Sequence, residues 1–236
     1  VRNEELDAFA HTVAHDLKNP LNGIIGITEL LKEACTNDSY PENHWQQEVH
    51  LLGMAGNQMA NIIDALLLLA GVSRRAEIEI EPLEMSTLID EVLERQAALI
   101  EQYQGQILLP TTWPVAKGYA PWVKEVWVNY LSNGLKYGGR PPRLELGADK
   151  LPAALENTLP PVTTREQGRF IRFWVRDNGA GLPPAAQTQL FTPFTRLQKR
   201  VEGYGLGLSI VKQIIEKLGG QVGVESVPNQ GSLFYF

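Results

Sequence analysis

The sequence predicts an α+β protein in which an antiparallel helical hairpin, forming a dimeric four-helix bundle, is followed by an α/β sandwich. Two observations predict this fold class. Apolar residues in the first part of the chain recur at alternating spacings of three and four residues, and the second part mixes alternating strand patterns with amphipathic helices. Because the composition changes around residues 73–75, we predict two domains, residues 1–75 and 76–236.

Two long helices make up the predicted hairpin. Residues 3–35 contain neither glycine nor proline before Pro20. A second helical pattern covers residues 43–71, after the turn-rich segment 36–42. Because two helices cannot enclose a core alone, we expect dimerisation into a four-helix bundle. The apolar seam of the first helix has heptad spacing and consists of Leu6, Ala10, Val13, Leu17, Pro20, Ile24, Ile27, Leu31 and Ala34.

The second domain is predicted to alternate strands and helices. Pro121 suits the first turn of one helix, and Gly219 with Gly220 closes another. The polar, proline-containing stretch 148–168 is predicted to be a long exposed insertion. In chain order, the elements are a strand at 78–80, a helix at 85–103, a strand at 106–109, a helix at 120–137, strands at 143–147 and 170–176, a helix at 206–218, and a hairpin of strands 221–225 and 232–236.

Composition narrows the classes of function. A net charge of −6 provides no large cationic field, which disfavours nucleic acid and anionic lipid as partners. A single cysteine, Cys35, excludes an internal disulfide and fits a reducing compartment, so we expect a cytoplasmic location. The longest apolar run, around residues 62–70, is shorter than the roughly 20 residues of a membrane span. Because the chain begins at Val1, we expect a fragment whose upstream sensor domain is missing.

His15 is the candidate nucleophile of the first helix. The heptad puts it on the outer face, together with Asn22 and Glu29. A neutral imidazole is a competent nucleophile near neutral pH and needs exposure to meet a phosphate. Asp16 can orient the ring or accept its proton, and Asn19, on the same face, can position a water for dephosphorylation. The alternative is an ordinary surface histidine, which these residues favour when taken alone.

The predicted helix at 120–137 carries a polar stripe. Glu125, Asn129 and Asn133 are spaced by four residues, and Lys136 and Tyr137 continue the same face. An amide oxygen can ligate Mg²⁺ that bridges phosphates, and a lysine can neutralise a phosphate oxygen. The stripe therefore indicates a nucleotide-binding helix; the alternative is a solvated helix face.

A glycine-containing segment follows a predicted strand at Asp177. A carboxylate at this strand end can accept the exocyclic amine of adenine, and Gly179 and Gly181 permit the backbone to approach the ring closely. Taken alone, the segment also suits a tight turn, since Asp-Asn-Gly is good turn chemistry.

A second glycine-rich segment opens a predicted helix at residues 203–208. Backbone N–H groups at a helix N-terminus can bind phosphate, although this segment has neither a P-loop nor a Rossmann context. The preceding stretch, 182–202, can form a lid over the nucleotide. This stretch carries the cations Arg196, Lys199 and Arg200. They are expected near the phosphates, and the alternative is a solvated loop.

These motifs, in this order, resemble those of the sensor histidine kinases of two-component systems, and the resemblance covers nearly the whole chain. The opening segment 3–9 is similar to phytochrome-like members. The matching motifs are the phosphoacceptor H box at 14–21 (AHDLKNPL), the N box at 129–137 (NYLSNGLKY), the first glycine box at 177–181 (DNGAG), the F box at 191–194 (FTPF), the second glycine box at 203–208 (GYGLGL) and the last glycine motif at 229–232 (NQGS).

The resemblance implies a Bergerat-type ATP-binding domain that uses ATP and Mg²⁺ to phosphorylate His15. It implies Asp16 as acid/base partner, Asn19 in any phosphatase activity, and Asn133 as the Mg²⁺ ligand. The phosphate would then pass to an aspartate of a response regulator, and the protein would act as a homodimer. The residues implied to bind the nucleotide are Asn129, Asn133, Lys136, Tyr137, Asp177, Gly179, Gly181, Arg196, Gly203, Gly205, Leu206 and Gly207.

The sequence departs from the family pattern at three places. Gly134 stands where alanine is usual, Ser232 replaces the commoner threonine, and the 148–168 insertion is longer than the family needs. None removes a chemically essential group, so we expect activity. Two alternatives remain: a non-catalytic signalling module that dimerises and binds nucleotide, and an ATPase of the chaperone or mismatch-repair kind, in which Glu125 activates water.

Overall fold

The structure, a computed structural model, describes residues 2–35, 42–74, 78–150, 170–193, 195 and 205–236. The chain divides into two compact units, Val1–Ala70 and Gly71–Phe236. The division falls inside the last turns of the second helix, whereas the predicted domain boundary stands between residues 75 and 76. Each unit is a separate body with its own contacts, so each is described by itself.

The first unit consists of the two long helices that the heptad pattern predicts. Helix α1 spans Arg2–Cys35, and α2 begins at Glu42 and continues to Arg74, beyond the end of the unit. Pro20 lies inside α1 and is buried. In α2, Ile62 is fully buried. The predicted turn at 36–42 lies almost entirely outside the described residues.

From composition we expected no segment long enough to span a membrane, and helix α2 corrects that expectation. Its segment Trp45–Leu68 is long and apolar enough, by length and composition alone, to cross a membrane. The run of consecutive apolar residues is short, but Asp64 is the only Asp, Glu, Lys or Arg between Val49 and Leu66, so the average over the helix is apolar. A single helix of this kind does not identify a membrane span, because core helices of soluble proteins can have the same length and composition.

The second unit contains two sheets and four described helices. A five-stranded sheet has the order β2-β4-β5-β7-β6; β2 runs parallel to β4, and the other neighbours are antiparallel. Strands β1 and β3 form a separate antiparallel pair. The elements are β1 Glu81–Leu83, α3 Met85–Tyr103, β2 Gln106–Leu108, β3 Ala116–Gly118, α4 Ala120–Tyr137, β4 Arg143–Lys150, β5 Ile171–Asp177, α5 Pro184–Gln187, α6 Gly207–Lys217, β6 Gly223–Ser226 and β7 Ser232–Tyr235.

Helix α4 lies at the centre of this unit. It packs against α3 and α6 on its sides and against β4 and β5 of the sheet. Trp127, Tyr130 and Leu131 on its inner face are at most 1% exposed. The Tyr130 hydroxyl donates to the main-chain oxygen of Tyr235 at 3.0 Å, and burial raises the pKa of this phenol. The α/β sandwich predicted from the mixed pattern is therefore confirmed, with α4 as its main core helix.

Several predicted boundaries need correction. The strand predicted at 78–80 is wrong: these residues are irregular, and the strand is β1, Glu81–Leu83. Its partner β3 was not predicted, because a three-residue pairing between distant segments leaves no periodicity in the sequence. Residues 148–150 belong to β4, where they pair with the start of β5, so the predicted insertion begins later. The rest of that insertion lies outside the described residues.

Candidate functional site

Helix α4 has one buried face and one polar face. It follows Tyr119, has Pro121 in its first turn and ends at Tyr137, where the N–H of Gly138 donates to the Gly134 oxygen at 2.8 Å. The stripe predicted from the sequence lies away from the core: its members are half-buried or exposed, and they are Glu125, Asn129, Asn133, Lys136 and Tyr137. The 3.6-residue period of the helix produces this separation.

The carboxylate of Glu125, the first residue of the stripe, is engaged by a cation. It forms an ion pair with Arg95 of α3, and Lys124 forms one with Glu91 of the same helix. The side-chain amide of Asn129 donates to the main-chain oxygen of Glu125 at 2.8 Å. This bond fixes the Asn129 side chain with Nδ2 toward its own helix.

Asp177 is the last residue of β5, and only 8% of it is exposed. Its Oδ1 accepts hydrogen bonds from the N–H groups of Gly179 at 2.7 Å and Ser232 at 3.3 Å. Burial raises the pKa of the Asp177 carboxyl above its ordinary value of 3.8, and the two backbone hydrogen bonds oppose that shift. The carboxyl is thus held in one orientation in a poorly hydrated position.

The glycines around Asp177 allow backbone segments to approach one another. A Cβ at Gly179 would lie 2.6 Å from the Tyr137 carbonyl oxygen, at the end of α4. Gly181 and Gly231 have positive φ angles of 66° and 80°, and a Cβ there would lie 2.0 Å from the carbonyl oxygens of Val227 and Asp177, respectively. The loop after β5 is therefore held between the end of α4 and the β6–β7 turn.

The start of α6 meets the middle of α4. Gly205 has a φ of 66°, and Leu206 is 2% exposed, which anchors the segment in the core. A Cβ at Gly207, the first residue of α6, would lie 2.3 Å from Oδ1 of Asn129. The helix N-terminus, whose first backbone N–H groups have no partner within the helix, therefore adjoins the polar stripe.

Four of the twelve predicted nucleotide residues thus lie on α4, and the end of β5 with the loop after it and the start of α6, which carry six others, meet this helix. Asn129 contacts Gly207 near the middle of the helix, and Gly179 contacts Tyr137 at its end. Asn133 and Lys136 lie on the helix between these two contacts and are half-buried. Arg196 and Gly203 lie outside the described residues.

Polar residues to which sequence reasoning gave no role also hold these loops. Ser226 accepts the N–H of Leu182 at 2.8 Å, and Gln187 of α5 donates to the main-chain oxygens of Leu182 and Ser226 at 2.9 Å and 2.8 Å. Asn178 bonds to the loop after α4. Only the Asp-Asn-Gly run marked Asn178 in the sequence, and that run is equally typical of a turn.

In the first unit, position 15 lies within α1. The side chains of His15 and Asp16 lie outside the described part of the chain, so the predicted outward orientation of the imidazole stays a prediction. Lys18, Asn19 and Asn22, which share the helical face of position 15 one and two turns along α1, are exposed.

Two family models match the chain. One, "His Kinase A (phospho-acceptor) domain", matches residues 5–72. The other, "Histidine kinase-, DNA gyrase B-, and HSP90-like ATPase", matches residues 118–236. These matches coincide with the helical unit and with the part of the second unit that holds the candidate site.

Curated relatives align along nearly the whole chain. Cyanobacterial phytochrome B of Nostoc sp. is 30% identical over 238 residues, covering 99% of this chain and 29% of the relative. Sensor histidine kinase AruS of Pseudomonas aeruginosa is 28% identical over 237 residues, covering 97% of this chain and 22% of the relative. The chain therefore spans less than a third of the length of these relatives.

Solved structures share the fold. A histidine kinase of Acinetobacter baumannii, AdeS, has a TM-score of 0.65 at 18% identity and covers 94% of this chain and 95% of its own. Histidine kinase ThkA, solved in complex with response regulator protein TrrA, has a TM-score of 0.71 at 18% identity and covers 100% of this chain and 62% of its own. At such identities the likeness concerns the fold alone.

Proposed function

The chain belongs to the sensor histidine kinase family and carries its catalytic core, the phospho-acceptor and ATPase domains; from that premise we propose that it transfers the γ-phosphoryl group of ATP to His15. The observation that carries this proposal is the convergence of the Asp177 loop and the α6 N-terminus on the polar face of α4. Because the chain is only part of the length of its relatives, the remainder of the protein is proposed to hold the sensor.

Adenine is assigned to Asp177. The backbone N–H groups of Gly179 and Ser232 occupy Oδ1, so we assign the exocyclic amine of adenine to Oδ2. The carboxyl must be deprotonated for Oδ2 to accept that amine, and its raised pKa makes this requirement dependent on pH.

The phosphates are assigned to the start of α6 and the end of α4. The backbone N–H groups at Gly207 suit an anion, because helix N-termini bind phosphate. Lys136 and Tyr137 are proposed to face the phosphates and sugar, and the further nucleotide contacts proposed are Asn129, Gly181, Gly205, Leu206, Arg196 and Gly203.

Mg²⁺ is proposed at Asn133. Among the described residues no group of three or more His, Cys, Asp or Glu side chains can hold a metal by itself. The half-buried Asn133 amide therefore fits a cation that takes most of its ligands from phosphates and water, which is the usual preference of Mg²⁺. When bound, the ion neutralises phosphate charge.

The chemical step is a transfer to nitrogen. A ring nitrogen of His15 attacks the γ-phosphorus, the bond from that phosphorus to the bridging oxygen breaks, and ADP leaves. Asp16 is proposed to take the proton that the imidazole releases. We propose that a carboxylate of a response regulator then receives the phosphoryl group, and that Asn19 positions water where the reaction runs as dephosphorylation.

We propose that the first unit dimerises in the cytoplasm. Its helices expose a set of large apolar side chains that water disfavours, including Leu21, Ile25, Leu30, Val49, Leu51, Met54, Ile63 and Leu67. A second copy that buries these side chains would complete a four-helix bundle. On this proposal Trp45–Leu68 is a bundle helix, not a membrane span.

Labelling with γ-³²P ATP tests the proposed reaction. We expect incorporation of acid-labile, base-stable label, lost in His15→Ala and in Asn133→Ala. His50→Ala is the matched control, because His50 is an exposed histidine of α2, and it should keep the label. Retention of label by His15→Ala would refute the assignment.

Measurement of phosphate release separates this reaction from simple ATP hydrolysis. Steady release that His15→Ala leaves unchanged would indicate an ATPase of the chaperone or mismatch-repair kind. The ion pair of Glu125 with Arg95 argues against that alternative, since the carboxylate would have to leave its charged partner on α3 to reach a water molecule.

A further inference from the structure

The side chain of Asn178 ties the loop after β5 to the loop after α4. Its Oδ1 accepts the N–H groups of Gly139 at 3.0 Å and Arg143 at 2.8 Å. Its Nδ2 donates to the main-chain oxygen of Pro141 at 3.2 Å. One amide thus holds two backbone groups of the five-residue loop between α4 and β4, and the first N–H group of β4.

The loop after α4 is shaped to receive this amide. A Cβ at Gly139 would lie 2.5 Å from Nδ2 and 2.8 Å from Cγ of Asn178, so only glycine fits there without displacing the side chain. The same loop is fixed on its far side, where the N–H of Gln106 donates to the Pro142 oxygen at 2.9 Å. The contact is therefore anchored to β2 as well.

Asn178 stands between two residues of the candidate adenine site. Asp177 precedes it, and Gly179, whose Cβ position faces the Tyr137 carbonyl oxygen, follows it. On the opposite side, Gly231 packs against the Asp177 carbonyl oxygen and Cα of Asn178. Asn178 itself is exposed, so its side chain is not part of the hydrophobic core.

We infer that Asn178 is a positioning residue for nucleotide recognition: its bonds to Gly139, Pro141 and Arg143 set the distance between Asp177 and the end of α4. This inference rests on the proposed function. The adenine amine and the phosphates of one nucleotide must be met at once by two separate segments, and the Asn178 amide fixes their spacing. Loss of the amide lets Asp177 drift relative to Lys136 and Tyr137.

The test is the affinity of the 236-residue chain for ADP and for GDP. Guanine presents a carbonyl where adenine presents its amine, so the ratio of the two affinities reports the position of Asp177. We expect Asn178→Ala to weaken ADP binding about ten- to a hundredfold, the usual effect of losing the support of a binding group, and to lower the preference for ADP. GDP binding should change less.

Two further variants test the same contact. Asn178→Asp keeps both acceptor bonds but sets a carboxylate oxygen against the Pro141 carbonyl oxygen, so it should also weaken ADP binding and lower the preference for ADP. Gly139→Ala crowds the amide from the other side and should lower the ADP preference although Asn178 is present. Gln102→Ala, on the exposed face of α3, is the control and should change neither affinity.

The outcomes separate this inference from the proposed function. A wild-type chain that binds ADP, together with Asn178→Ala and Gly139→Ala variants of unchanged ADP preference, overturns the inference alone. Equal loss of ADP and GDP binding in step with a lowered folded fraction would assign Asn178 a purely structural role and overturn it too. Failure of the wild-type chain to bind ADP overturns both proposals.

Discussion

Gly207, the first residue of α6, lies directly against Asn129 of α4: a Cβ at position 207 would stand 2.3 Å from the Asn129 Oδ1 atom. The two residues are distant in the chain, and their contact joins the glycine-rich helix start to the polar stripe. Since the Asn129 amide is held by its bond to the Glu125 oxygen, it has little freedom to move aside.

The first prediction concerns this contact. Gly207→Ala should displace the Asn129 side chain and destabilise the second unit by about 1–3 kcal/mol, the usual cost of overpacking. Urea unfolding measures the change. In an Asn129→Ser background the shorter side chain should relieve the clash, so the same substitution should cost clearly less. Equal costs in both backgrounds would contradict the proposed contact.

Asp177→Asn should abolish most nucleotide affinity while leaving the fold intact. The amide oxygen can still accept the N–H groups of Gly179 and Ser232, but Nδ2 would face the adenine amine, donor against donor. We expect a loss of about 2–3 kcal/mol in ATP binding, within the range for an unpaired buried polar group, measured by calorimetric titration. Asp149→Asn, at an exposed aspartate of β4, is the control. Unchanged ATP affinity in Asp177→Asn would show that Asp177 does not bind adenine.

The raised pKa of Asp177 predicts how stability depends on pH. Because the folded carboxyl binds its proton more strongly than the unfolded one, the stabilisation from protonation is fully present below 3.8 and is lost as pH rises through the folded pKa. Asp177→Asn does not titrate. The variant should therefore gain stability relative to the wild type as pH increases over this window, as measured by unfolding free energies at a series of pH values. An Asp177→Asn variant that loses stability relative to the wild type as pH rises would contradict the prediction.

Gly134→Ala tests the family departure inside α4. Alanine should favour the helix by about 0.5–1 kcal/mol, but its Cβ would lie 2.6 Å from Cδ2 of Leu144, which is completely buried. Since overpacking costs about 1–3 kcal/mol, we expect net destabilisation in chemical denaturation. Trimming the neighbour with Leu144→Val should recover part of the loss. A more stable Gly134→Ala variant would mean that Leu144 yields easily.

Local patterns predicted the long helices well. The bounds of α3 and α4 agree with the prediction, because each helix has a continuous amphipathic period and α4 has a proline in its first turn. The β1–β3 pair was missed since its register depends on residues more than thirty positions apart in the chain. In the first unit, α1 followed from the heptad seam.

The candidate site, too, could be predicted from the sequence only in part. The stripe on α4 was visible in the sequence, because its residues are spaced by one helical turn. The contact of Gly207 with Asn129, and the role of Asn178, arise only when separate segments meet. Asp-Asn-Gly suits a tight turn equally well, so its chemistry could not reveal that the middle residue bonds to the loop after α4.

The central position of α4 limits how its length can vary. A helix advances about 100° per residue, so deleting a single residue near Val128 would rotate every later side chain by that angle. Asn133 would then turn away from its present direction, and an apolar neighbour such as Leu131 would leave the core. We therefore expect this helix to accept substitutions more readily than insertions or deletions. A change in length would misplace the core side chains and the polar stripe at the same time.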